Sequence, residues 1–140
     1  MAGCEKRELL AWKSRSLLGC LYEFQRNTDA VCALIVQDDG AILAKVSTAA
    51  DLDIDTLGVF SSMMFATARI LVRELGAHGE VSGRLTIGTD YRLLVMGITS
   101  KAALVTLCRT SFGTGLLEYQ ARLLVPRMIN CLLHPTSEER

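Results

Sequence analysis

The stretch DTLGVFSSMMFATARILVRELG, Asp55 to Gly76, has a helical period and is apolar in almost every direction. With successive residues about 100° apart, Leu57, Phe60, Met64, Ala68, Leu71 and Leu75 fall on one stripe, which Phe65 and Val72 widen. Val59, Met63, Ala66 and Ile70 form a second stripe, roughly 120–160° away. Only a narrow wedge, holding Gly58, Ser62, Arg69 and Arg73, is polar. The first stripe is expected to lie on the chain's own sheet. Leaving the second in water would forgo about 1.5–3 kcal/mol for each large side chain. The helix is therefore expected to pack on a second protein, and the chain to work by binding.

Around this helix the chain alternates its periods. Glu5–Arg26 reads as an amphipathic helix, with Leu10, Leu17, Leu21 and Phe24 at three- and four-residue steps. Ala30–Gln37 is a nearly continuous β-branched and apolar run, suited to a strand covered on both faces. Asp38-Asp39-Gly40 turns it into a second strand, Ala41–Ser47, because glycine supplies the positive φ such a hairpin needs. Asp51, Asp53 and Asp55 precede the central helix, where carboxylates favour the positive end of its dipole. Gly76-Ala77-His78-Gly79 stops it.

Val81–Gly88, Tyr91–Thr99 and Ala102–Arg109 then form an antiparallel meander with two-residue turns. A last helix spans Thr114 to Leu133, and Pro126 is expected to kink or divide it. The order α-β-β-α-β-β-β-α predicts an α+β fold: one five-stranded, mostly antiparallel sheet flanked by helices, in a single domain over residues 1–140.

Composition narrows the function. Half of the 140 residues are hydrophobic, yet the longest uninterrupted apolar runs, Ala30–Val36 and Leu93–Ile98, are too short to span a bilayer. The expectation is a cytoplasmic chain with no membrane insertion. Fifteen basic and fifteen acidic residues balance with neither sign clustered, which argues against nucleic acid. Cys4, Cys20, Cys32, Cys108 and Cys131 are widely spaced among apolar neighbours, as reduced buried thiols are. No CxxC pair occurs and His78 and His134 stand alone, so no zinc site is indicated.

Asp51-Leu-Asp53-Ile-Asp55 imitates a calcium loop but has Thr56 and Ser62 where glycine and glutamate are required, and helix capping explains it better. Gly113-Thr-Gly115 lacks the third glycine and the parallel βαβ frame of a dinucleotide loop. Gly83 and Gly88 have P-loop spacing, but Thr89 replaces the lysine. No serine or cysteine sits in an activating motif. Neither catalysis nor a cofactor is expected.

The buried strand Ala30–Val36 with Asp38-Asp39-Gly40, the helix ending Glu74-Leu75-Gly76, the meander Arg84–Arg109 and the helix start Gly115-Leu116-Leu117 together resemble the roadblock (roadblock/dynein light chain) family. The likeness covers about residues 5 to 130 and rests on order and spacing. Pro126 and Ser111-Phe112-Gly113-Thr114 depart from the family's pattern. The resemblance implies a homodimer or a pair with a paralogue, the middle helices packed together and the third strands joined into one continuous sheet. It also implies a platform or regulator for a small Ras-like GTPase, or a structural adaptor in a motor or trafficking complex.

Val59, Met63, Ala66, Ile70, Arg84, Leu85, Thr86 and Ile87 are the expected dimer residues. Ser62, Arg69 and Arg73 are the expected GTPase contacts. A ligand-sensing domain of PAS or profilin type is the alternative, and would need a pocket with convergent polar groups.

Overall fold

The computed structural model describes residues 16–111 and 113–133. Helix α1 runs over 16–27. Strands β1 (Cys32–Gln37) and β2 (Ile42–Ser47) follow, then α2 (Ile54–Leu75), β3 (Ser82–Ile87), β4 (Tyr91–Gly97), β5 (Ala102–Arg109) and α3 (Thr114–Leu133). The expected order holds throughout. The first half of the predicted Glu5–Arg26 helix, with Cys4 and Leu10, lies outside the described residues, as do His134 and Pro135.

The strands form one sheet in the order β2-β1-β5-β4-β3, every pair antiparallel. Asp39 and Gly40 close the first hairpin. Gly40 takes φ 98°, and the Asp39 carboxylate accepts the Ala41 amide at 3.0 Å. The sheet has a helical layer on each face. On one, Leu17, Leu21 and Phe24 of α1 and Leu117, Ala121 and Met128 of α3 cover Ala33, Ile35, Leu94, Met96, Leu104 and Cys108. On the other, Leu57 and Phe65 of α2 cover Cys32, Leu34, Val36, Leu93, Val95, Val105 and Leu107. Central strands β1 and β5 are thus apolar on consecutive residues, because both of their faces are buried.

Pro126 does not divide the last helix, which is continuous over Thr114–Leu133. Its neighbours Leu124, Val125 and Met128 are anchored in the core, while Pro126 itself faces water. The carbonyl of Arg122, deprived of its partner amide, lies on that wet side where solvent can satisfy it.

Candidate interaction surface

Helix α2 is fixed at both ends by its own sequence. Asp53 is the N-cap: its carboxylate accepts the Thr56 amide at 3.1 Å and the Thr56 hydroxyl at 2.7 Å. Those bonds favour the ionised form and hold the Asp53 carboxyl below its ordinary range. At the other end Gly76 takes φ 64°, its amide bonds to the Arg73 carbonyl, and the Ala77 amide reaches the Val72 carbonyl at 3.0 Å. This pair of bonds is a Schellman cap. The Asp51-Leu-Asp53-Ile-Asp55 segment therefore caps a helix. Among the described residues no group of three histidine, cysteine, aspartate or glutamate side chains is placed to hold a metal.

The rotation of α2 about its axis differs from expectation. The face on the sheet is Leu57, Gly58, Ser61, Ser62 and Phe65. Of the stripe expected there, Leu57 and the widening Phe65 are buried and Val72 is half-buried. Met64 and Ala68 are half-buried at the margin, and Phe60, Leu71 and Leu75 are exposed. Small residues explain the turn. Gly58 leaves room for the Ile42 side chain reaching over from β2: a Cβ there would meet Ile42 Cδ1 at 2.8 Å. Phe65 then fills the space beside Gly97, where an added Cβ would come within 3.3 Å of its ring. Close approach through small residues buries backbone and one large ring instead of a row of bulky side chains.

Ser62 must consequently be corrected as a partner contact. It is 2% exposed, lies beneath the helix, and donates to the Gly58 carbonyl at 2.8 Å. That bond to the preceding turn lets a hydroxyl be buried against the sheet.

The apolar stripes, freed from the sheet, merge into one open face. Val59, Phe60, Met63, Ile70 and Leu71 are all exposed, Met63 at 64%. Ala66 is half-buried at its edge, Arg69 is half-buried, and Arg73 is exposed. By length and composition α2 is apolar enough to cross a bilayer, which a search for uninterrupted apolar runs does not register. In this structure it lies along the sheet with its ends capped.

Among the described residues, strand β3 forms one edge of the sheet and pairs only with β4. Arg84, Leu85, Thr86 and Ile87 are exposed along it. Register puts Leu85 opposite Leu93 and so on the α2 side, and puts Arg84 and Thr86 on the α3 side. The expected dimer residues thus lie on two separate features, the outer face of α2, which crosses over β1, β5 and β4, and the exposed edge strand β3.

One feature escaped the sequence. Arg84, Thr86, Arg92, Leu94, Cys108, Leu117 and Glu118 line a cleft of about 310 Å³ beneath α3. They come from four separate elements, and only the cross-strand row Thr86–Arg92–Cys108 could have announced it.

No protein-family model matches the chain, and no curated protein matches its sequence. Solved structures do match. Myxococcus xanthus MglB superposes with a TM-score of 0.79 at 12% identity, over 89% of this chain and 92% of that one. An MglB with a tetrameric arrangement gives 0.73 at 21% identity, over 90% and 93%. A Roadblock/LC7 domain from Streptomyces avermitilis gives 0.62 at 18% identity, over 74% and 86%. Identities this low speak to architecture: a β2-β1-β5-β4-β3 sheet with α2 on one face and α1 and α3 on the other, shared with these proteins, is the roadblock fold.

Proposed function

We propose that this chain is a non-catalytic dimeric platform that binds a small Ras-like GTPase in the cytoplasm and modulates its activity or location. The carrying observation is the open apolar face of α2, Val59, Phe60, Met63, Ile70 and Leu71, in a fold whose β3 edge is also unpaired. Such a face costs free energy in water and invites a partner. An unpaired strand edge does the same for backbone groups.

A second copy, or a paralogue, is the first partner. A two-fold axis lets Val59, Met63, Ala66 and Ile70 meet themselves, since an isologous interface is self-complementary. It also lets Arg84, Leu85, Thr86 and Ile87 pair with their counterparts and extend the sheet. Self-association among roadblock folds is supported by the MglB described with a tetrameric arrangement.

The GTPase is the second partner, and Arg69 and Arg73 flank the apolar face where it would dock. Arginine is enriched among interface residues that carry binding energy. Ser62, being buried, takes no part. An arginine inserted at the transferring phosphoryl group would speed hydrolysis by about 10³–10⁵-fold. The half-buried Arg69 suits surface recognition that biases the GTPase's own switch loops.

The test measures binding and hydrolysis by a small Ras-like GTPase encoded beside this chain, in GDP and GTP states. The wild type is expected to bind with nucleotide preference, and Arg69→Ala/Arg73→Ala to weaken binding while the dimer persists. A wild-type dimer that binds in neither state refutes the regulator. Binding unchanged in the double variant refutes only the arginine site.

A further inference from the structure

The cleft beneath α3 lies on the opposite face of the sheet from α2, and two of its residues, Arg84 and Thr86, also belong to the β3 edge. Thr86, Arg92 and Cys108 stand side by side across β3, β4 and β5, with Arg84 and Leu94 paired one step further along the same face. Leu94 and Cys108 belong to the core under α1 and α3, so this row faces α3. Leu117 and Glu118 complete the walls.

The two arginines differ in their surroundings. Arg84 donates through Nε and Nη2 to one oxygen of Glu118, so its charge is matched. Arg92 is half-buried and, among the described residues, has no carboxylate within ion-pair reach. Its positive charge is felt by the Cys108 thiol, where it opposes the upward push of burial. Two guanidiniums against one carboxylate leave the cleft a single net positive charge. A guanidinium partly withdrawn from water, beside apolar walls, favours an anion that can accept its forked N–H groups.

We propose that this cleft binds a small amphipathic monocarboxylate. Its carboxylate sits on Arg92 with the Thr86 hydroxyl beside it, and its short apolar body lies along the methylene stems of the two arginines and the sliver of Leu94 that the cleft exposes, with Leu117 and Cys108 as the buried floor. A volume of about 310 Å³ is at the lower end of small-ligand sites. It suits a short chain. The Arg84–Glu118 pair forms the rim, and its carboxylate sets an electrostatic limit on affinity.

The experiment is a ¹H–¹⁵N NMR titration of the full chain with sodium hexanoate, with hexanol and inorganic phosphate as comparison probes. Saturable shifts are expected at the amides of Arg92, Leu94, Cys108 and Leu117. Arg92→Gln should weaken hexanoate by about tenfold or more, as loss of a charge-assisted bond does, with the rest of its spectrum unchanged. Glu118→Gln removes the opposing charge and frees Arg84, and should tighten binding several-fold. Equal binding of hexanol would overturn anion recognition, and equal binding of phosphate would overturn the apolar half. Shifts confined to the open face of α2, or an affinity indifferent to Arg92→Gln, would overturn the site. Because α2 takes no part, success or failure here is independent of GTPase binding.

Discussion

Phe65 shows how far a single residue decides the packing. It is 1% exposed and is the largest side chain that α2 sends into the sheet-side core, beside Val81 and Gly97. Phe65→Ala should destabilise the fold by about 3–5 kcal/mol, the transfer loss plus an unfilled cavity. Denaturant unfolding measures it; a loss below 1 kcal/mol would mean that the helix rests elsewhere. Gly58 carries the complementary constraint. Valine there would drive its branched side chain into Ile42 and should cost about 1–3 kcal/mol by overpacking. Hydrophobic periodicity alone could not reveal this seat, because it weights bulky side chains and counts glycine and serine as polar. Gly58, Ser61 and Ser62 win the sheet face by being small, a property of the approach distance and not of the hydrophobic pattern.

At the scale of elements, sequence and structure agree where local rules are strong. The Asp39-Gly40 turn, the aspartate cap before α2, the Gly76 stop and the two-faced burial of β1 were readable because each has a short-range cause. Rotation of α2 and continuity of α3 through Pro126 were not, since both depend on what the neighbouring layer anchors. The cleft was unreadable for the same reason, its residues meeting only once the strands are in register. The open face of α2 leads to a definite outcome. Met63→Asp/Ile70→Asp should turn a dimer into monomers, because two carboxylates facing their copies would enter an apolar seam without counter-charge. Both positions are exposed in the isolated fold, so the variant should still unfold cooperatively. Sedimentation velocity separates the outcomes, and a double variant that stays dimeric would remove this face from the interface. Paired β3 edges should also protect alternate amides across Arg84–Ile87 from exchange, only at concentrations where the dimer forms.

At the scale of the whole molecule, stability is expected to fall in alkali through thiols placed in both of its cores. Cys20, on α1, and Cys108, on β5, belong to the core beneath α1 and α3, and Cys32 lies under α2. Burial pushes the Cys20 and Cys32 thiols up to about 11, the neighbouring Cys131 adding to the effect on Cys20. Cys108 is also raised by burial, against the pull of Arg92. Their ordinary value of 9.0 applies to the unfolded chain. Below pH 9 both states keep these protons, and the protonated thiols contribute their full share to stability. As pH rises from about 9 to about 11, the unfolded chain releases protons that the folded chain retains, so unfolding gains. The expected result is a urea midpoint that is flat approaching pH 9 and falls steadily across that window. The thiol share is isolated by difference: Cys32→Ala should flatten the fall, and Cys20→Ala should do so on the opposite face. Equal slopes in wild type and both variants would show that the buried thiols ionise as freely in the folded chain as in the unfolded one. Since a domain of this size unfolds as one unit, a proton released beneath α2 should loosen the α1 and α3 layer as well, and amide exchange on both faces should accelerate together.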